Sequence, residues 1–332
     1  MRIALLAPVA WRTPPRHYGP WEQISSNIAE GLVKEGFDVT LFATGDSITG
    51  ARLKWVTEKG YEEDRNIDAK VVECLHISYL MECAEEFDLI HNNFDFLPLS
   101  YSSLVKTPFI TTIHGFSSEK IIPVFKKYNR STAYVSISNA NRHSDLDYLG
   151  TVYNGIQTEQ FSFNPFPEDY LIFFGRIHPD KGTAEAIEIA RRCNRRLVIA
   201  GIIQHSEYFR EKVEPFLDDS IIFVGEAGPE KRNELLGKAS ALLHPINFDE
   251  PFGLSVAEAM LCGTPVIAFN RGSMPELIRH GETGFLVQSA DEAVEAVRAL
   301  RTITRHDCHN WSRSQFSTEK MVQDYIQLYN KI

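Results

Sequence analysis

Two glutamates, Glu250 and Glu258, are separated by seven residues in the stretch HPINFDEPFGLSVAEAMLCGTPVIAFN, residues 244–270. LSVAEAML has helical character, and GTPVIAF after it reads as a Gly-Pro turn into a buried strand. Gly253 at the mouth of this helix leaves backbone N–H groups open, and a helix N-terminus favours an anion or a ring of hydroxyls. Glu250 falls on the loop before the helix, and Glu258 lies about two turns further on. Carboxylates placed in this way can hold two hydroxyl-bearing parts of one ligand.

A second pair is cationic. YLIFFGRIHPDKGTAEAIEIA reads as a buried strand, a short loop and a helix beginning near Thr183. Its loop carries Arg176 and Lys181, five residues apart, so both can converge on one diphosphate, with the planar fork of Arg176 matched to phosphate oxygens. His114, with Gly115 beside it, closes the strand TPFITTI. A histidine at the carboxyl end of a buried strand is well placed for a reacting group, and His91 after DLI is a second candidate of that kind.

The elements that must position these groups alternate along the chain. Residues 2–8 form a strand and residues 9–20 a loop rich in Pro, aromatics and Arg. Residues 21–34 form a helix with Ile24, Ile28, Leu32 and Val33 apolar, ended by Gly36, and FDVTLFAT is the next strand. This is a βαβ unit, and parallel sheets put ligands at the carboxyl ends of their strands. The loop Tyr18-Gly19-Pro20-Trp21-Glu22 is therefore expected to face a cleft, with Tyr18 and Trp21 either lining an acceptor pocket or packing the loop. Residues 50–70 read as an exposed connection, VVECLHI as a strand, residues 79–86 as a helix and DLIHNN as a strand.

SEKIIPVFKKYNR, residues 118–130, combines four apolar residues with four cations, the composition of a membrane-facing helix. Residues 1–160 hold 15 Lys and Arg against 20 Asp and Glu, which favours a solvated helix with a core face. Residues 161–169, with Pro165 and Pro167, read as a linker. Strands RRLVIAG and SIIFVGEAG and the helix GPEKRNELLGKAS follow in the second half, and residues 311–332 read as one helix with Met321, Tyr325, Leu328 and Tyr329 on one face.

Composition narrows the class. A chain of 332 residues is comfortable for two domains, and 43% hydrophobic with 23% charged residues are the proportions of a globular protein. The net charge of −10 argues against nucleic acid as a partner but not against a nucleotide, which needs only a local basic pair. The five cysteines are odd in number and contain no C-x-x-C, which points to reduced thiols and a cytoplasmic location. No apolar run approaches the roughly 20 residues that span a bilayer. MRIALLAPVA reads as a first buried strand, not a signal peptide, because WRTPPRHYGP follows where small residues would be needed.

E-x7-E inside EPFGLSVAEAM, followed by G-TPVIA, resembles the retaining family-4 glycosyltransferases of the GT-B fold, and the resemblance extends over nearly the whole chain. It implies an α/β architecture of two Rossmann-like domains facing each other across a cleft. Residues 1–160 would be the acceptor domain, 168–310 the nucleotide-sugar domain, and a C-terminal helix, 311–332, would cross back to the first. It implies that Glu250 contacts the donor sugar, that amides of Phe252, Gly253 and Leu254 support sugar and phosphates, and that Glu258 takes the ribose hydroxyls. The pattern G-R-x4-K-G places Arg176 and Lys181 on the diphosphate, and the turn at Gly225-Glu226 on the nucleobase. His114 matches the family's acceptor-side histidine after a T-x-H strand. Many relatives carry Gly-Gly in the first loop, where amides approach the donor phosphates. Here Gly19 is followed by Pro20, which has no N–H to give.

The implied activity is transfer of a hexose, with retention and without a divalent ion or other cofactor, from a nucleotide-diphosphate sugar to an acceptor hydroxyl. UDP is the first choice of nucleotide and GDP, as in GDP-mannose, the second. Asp145-Leu146-Asp147 is a D-x-D, which holds the ion in metal-dependent glycosyltransferases, but it falls in a segment read as a helix and no metal site is expected. A nicotinamide oxidoreductase would need a glycine fingerprint that is missing. A non-catalytic nucleotide-sugar-binding protein, a sugar phosphorylase and an epimerase on the same fold remain as alternatives. Neither donor sugar, acceptor nor oligomeric state is legible.

Overall fold

The computed structural model describes every residue except His17, Tyr18 and Ser117, so the candidate Tyr18 lies outside the described residues. The chain divides into two compact units, Met1–Gly155 with Thr318–Ile332, and Ile156–Ser317. Each is built on a parallel sheet with helices.

In the first unit the elements run β1 (Arg2–Leu6), α1 (Pro20–Lys34), β2 (Asp38–Phe42), β3 (Arg52–Lys54), α2 (Ala69–Glu82), β4 (Leu89–Asn92), β5 (Phe109–Ile113), α3 (Ile122–Tyr128), β6 (Ala133–Ser136) and β7 (Tyr148–Thr151). The seven strands lie in the order β3-β2-β1-β4-β5-β6-β7, with Ile3 paired to Val39 on one side and to Leu89 on the other. Strands such as IALL in β1 are apolar without alternation because a parallel sheet is covered on both faces. Pro20 opens α1, where its missing N–H leaves no bond unmade, and Ile24, Ile28 and Leu32 bury one stripe of that helix.

The second unit runs β8 (Tyr170–Phe174), α4 (Thr183–Arg192), β9 (Arg196–Ala200), α5 (Ser206–Lys212), β10 (Ile221–Phe223), α6 (Pro229–Lys238), β11 (Ala241–His244), α7 (Leu254–Leu261), β12 (Val266–Phe269), α8 (Met274–Leu277), β13 (Gly284–Val287), α9 (Ala290–Ala299) and α10 (Arg305–Phe316). Its six strands are ordered β10-β9-β8-β11-β12-β13. Each sheet thus reverses direction once, between β1 and β4 and between β8 and β11, and these reversals are where open α/β sheets leave a crevice for ligands.

The structure redraws several expectations. VVECLHI is not a strand: it lies within α2, capped by the Asp68 side chain, which accepts the Val71 N–H at 3.1 Å. Only His76, Ile77 and Leu80 of that helix are buried, while Val71 and Leu75 are exposed. The first unit ends at Gly155, and residues 156–168 pack on the second unit, with Ser162 N–H donating to Asn233 Oδ1 (2.9 Å) and Asn164 Nδ2 to the Gly237 carbonyl (3.1 Å).

The tail is two helices, not one. Helix α10 stays with the second unit, where Trp311 Nε1 donates to the Leu277 carbonyl and Ser312 Oγ to the Ala257 carbonyl, both at 2.7 Å. The chain returns to the first unit only at α11 (Thr318–Tyr329). Of residues 118–130, Ile122 and Phe125 are buried, and Ile121 and Val124, partly buried, pack against the core that holds Phe125. Among the described residues no helix is long and apolar enough to cross a membrane, and the five cysteines form no disulfide.

Candidate functional site

In the second unit, the loops after β8 and β11 meet at the sheet's reversal point. The turn after β8 ends at Gly182, whose φ of +75° is left-handed. A Cβ there would stand 1.9 Å from the Pro245 carbonyl oxygen, so only glycine allows this approach to the chain leaving β11. Asn247 N–H closes the contact on the Asp180 carbonyl at 2.7 Å. From the other side, Gly272 (φ +52°) lies so close that a Cβ would meet Glu250 N at 2.4 Å, and Ser273 N–H donates to the Glu250 carbonyl at 3.0 Å.

This scaffold brings Lys181 and Glu250 together. Lys181 Nζ lies 2.7 and 2.6 Å from the two carboxylate oxygens, with both side chains almost buried. It also sits over the Phe248 ring, 4.8 Å from its centroid. His244 Nε2 is 3.3 Å from Glu250 Oε2, an electrostatic contact without a formed hydrogen bond. Burial alone would push the Glu250 carboxyl up, but His244 and Lys181 outweigh it and hold it at about 2. Sequence reasoning assigned Lys181 and Glu250 to different parts of a ligand. The structure shows them as one ion pair. Arg176 is not part of it, being hydrogen-bonded to Gln204.

Glu258 lies on α7, whose first turn begins after Gly253 (φ +98°), where a Cβ would meet Met274 Cε at 2.8 Å. Val256 N–H donates to the Gly253 carbonyl at 3.1 Å, while the Leu254 and Ser255 N–H groups lie at the helix start, where no intrahelical acceptor precedes them. Glu258 is 8% exposed, and Arg232 Nη1 donates to its Oε1 at 3.1 Å. Burial raises its carboxyl and Arg232 opposes the rise. Arg232, on α6, was missed by sequence reasoning because GPEKRNELL reads as an ordinary solvated helix. The available signal was a cation in the helix following the Gly225 turn. The side chain of Phe252 is core, packed edge-on to Phe316 at 5.7 Å, and its carbonyl accepts from Ser273 Oγ. Leu254 opens α7, Gly225 is left-handed (φ +75°) and its carbonyl accepts the Gly201 N–H, and Glu226 is exposed.

In the first unit, His114 leaves β5 7% exposed, with Nε2–H donating to Asn93 Oδ1 at 2.9 Å. Because Oδ1 can only accept, Nδ1 carries the lone pair, and it is buried without a protein partner. Burial lowers the ring to about 3, so it is neutral near pH 7. Trp21 stacks on it at 5.6 Å and 27°. His91 does not join this group. It is fully buried, and both nitrogens are bonded: Nδ1 meets Tyr329 Oη of α11 at 2.7 Å and Nε2 meets Thr112 Oγ1 of β5 at 2.8 Å. Gly19 precedes α1 at φ +153°, where a Cβ would stand 2.9 Å from Pro15 Cβ and 3.0 Å from Glu22 Oε2.

Asp145 is paired with Lys126, and Asp147 is bonded to Asn129 in a turn, not a helix. No group of His, Cys, Asp and Glu able to hold a metal ion occurs among the described residues.

Two parallel-sheet, Rossmann-like units of seven and six strands have the fold of the GT-B glycosyltransferases, and comparison with known proteins supports glycosyl transfer as the class of activity. Residues 156–316, essentially the second unit, match the family model of glycosyl transferases group 1. An uncharacterized glycosyltransferase of Methanocaldococcus jannaschii is 24% identical over 335 residues, covering 86% of this chain and 85% of that protein. The N-acetyl-alpha-D-glucosaminyl L-malate synthase of Bacillus anthracis is 32% identical, but over only 34% of this chain and 31% of its own length. Among solved structures, Anabaena HepE in complex with UDP and glucose matches the fold with a TM-score of 0.76 at 18% identity, over 99% of both chains.

Proposed function

We propose that this chain is a retaining, metal-independent glycosyltransferase. It moves a hexose from a nucleotide-diphosphate sugar, a UDP-sugar first and GDP-mannose second, to an acceptor hydroxyl. The observation that carries the reading is the buried Lys181–Glu250 pair at the reversal of the second sheet, beside the open N-terminus of α7. In this reading Lys181 meets the charge that grows on the departing diphosphate, supported by helix amides, and Arg176 joins it after leaving Gln204. Glu250 accepts hydroxyls of the sugar, and Glu258, held by Arg232, accepts those of the ribose. His114 offers Nδ1 to the acceptor. The complex of HepE with UDP and glucose supports the preference for UDP.

The test is calorimetry with UDP and GDP, beside transfer assays from UDP-glucose and GDP-mannose with and without excess EDTA. Binding of one diphosphate and turnover that survives EDTA are the expected results. Activity that is abolished by EDTA and restored by Mn or Mg ions would return the charge-neutralising role to a bound metal.

A further inference from the structure

The first unit has a reversal point of its own, between β1 and β4, and a cavity of about 520 Å³ lies there. Its walls come from the loop after β1, the first turn of α1 and the loop after β4. Five of its residues are aromatic, Trp11, Trp21, Tyr61, Phe94 and Phe96, and three are acidic, Glu22, Glu73 and Asp95. Among the described residues no Lys, Arg or His lines it. Of the described cations on the loop after β1, Arg12 donates from Nε to the Pro14 carbonyl and Arg16 pairs with Asp46 and Glu63.

The acidic groups are built in, not incidental. Glu22 is 3% exposed, and its Oε1 accepts the Trp11 N–H at 3.3 Å. Asp95 sits at φ +126°, a strained conformation for a residue with a side chain. Asn92, itself fully buried, enforces it by donating to the Asp95 carbonyl at 2.8 Å and accepting the Phe94 N–H at 2.9 Å. Glu73 accepts from Tyr61 Oη at 3.2 Å.

Aromatic walls bury the C–H faces of a ring, while carboxyl groups bond its hydroxyls; together they are the chemistry of carbohydrate recognition. Resting on the glycosyltransferase reading above, we infer that this cavity is the acceptor pocket and that it takes an uncharged polyhydroxylated ring, excluding acceptors that carry phosphate. A phosphate here would meet acidic groups with no cation among the described lining residues to balance it, and its desolvation would go uncompensated. Burial also pushes Glu22 and Asp95 to about 7. Near neutrality each therefore spends part of its time as a donor and part as an acceptor, as a ring of hydroxyls requires.

Binding is read from tryptophan fluorescence, since Trp11 and Trp21 line the cavity. The probes are methyl α-glucoside, methyl α-mannoside and myo-inositol, each against glucose 6-phosphate, mannose 6-phosphate and inositol 3-phosphate, up to tens of millimolar. At least one neutral ring is expected to quench saturably, with its phosphorylated counterpart at least ~10-fold weaker. Asp95→Asn and Glu73→Gln should each weaken the neutral ring roughly 10-fold, the loss of one charge-assisted hydrogen bond. Both substitutions are isosteric, and unchanged UDP binding would show the fold intact. Equal or tighter binding of the phosphorylated ring, or no saturable quenching by any ring, overturns the inference. Failure of UDP and GDP to bind wild-type protein would instead sink the donor reading, a separate result from the same samples.

Discussion

Glu250 and Glu258 resemble each other in sequence and differ in every physical respect in the fold. Glu250 is held ionised by Lys181 and His244, whereas Glu258 is buried against one arginine. Their substitutions should therefore diverge. Glu258→Ala removes the carboxylate proposed to accept the ribose hydroxyls, so binding of free UDP or GDP should weaken roughly 10- to 100-fold, the range for a hydrogen bond to a charged group. Glu250→Ala should instead raise diphosphate affinity several-fold while transfer collapses, because Lys181 no longer has to leave a carboxylate to meet phosphate. Calorimetry on both variants beside a transfer assay checks this, and equal losses of diphosphate affinity would refute the division. Glu250, Lys181 and His114 were legible as candidates because each sits at a strand end or helix mouth marked by glycine, and Glu258 because it follows Glu250 at a fixed spacing within the helix. The Lys181–Glu250 contact was not, since 69 residues separate the partners and only the close approach at Gly182 joins them. His91 misled for the opposite reason: a strand-end histidine looks the same in sequence whether its nitrogens face a ligand or Tyr329.

At the scale of elements, α11 is the piece the sequence described least well. An apolar stripe through Met321, Tyr325 and Leu328 was visible, but the break at Ser317 was not, because nothing local separates α10 from α11. What fixes α11 is distant: Tyr329 on His91, Tyr325 on Thr112, and Val322 against Gly31 of α1. A Cβ at position 31 would lie 2.3 Å from Val322 Cγ2. Gly31→Ala, despite its better helix propensity, should therefore destabilise the protein by about 1–3 kcal/mol, the range for overpacking. Adding Val322→Ala should recover much of that loss, because the methyl group that clashes is gone. Urea unfolding of the two single variants and the double variant gives the answer, and additive losses would show that α11 does not depend on this contact. Helix α2 failed from sequence for a related reason: Val71 and Val72 favour a strand locally, and the Asp68 cap with one buried face overrides them.

Across the whole molecule, buried titratable groups pull stability in opposite directions with pH. Burial lowers His76 to about 4 and His91 and His114 to about 3, so each is neutral in the fold but binds a proton in the unfolded chain below about pH 6.5. Their contribution is full above that pH and is lost as pH falls toward 3–4. Glu22 and Asp95, raised by burial to about 7, behave in the reverse sense. Their native forms hold protons that the unfolded chain has released, so their contribution is full below about pH 4 and is lost as pH rises through 7, by a few kcal/mol each. Three histidines outnumber two carboxyls, so stability should climb from pH 5, pass a maximum near pH 6.5 where the two effects balance, and decline gently to pH 8. Replacing the carboxyls with Glu22→Gln and Asp95→Asn should abolish the decline above the maximum and steepen the climb below it. Unfolding free energies measured in urea at half-unit steps from pH 5 to 8.5 resolve the shape. A wild-type curve still rising at pH 8, or a double variant with the same maximum as wild type, would show that Glu22 and Asp95 ionise normally in the folded protein.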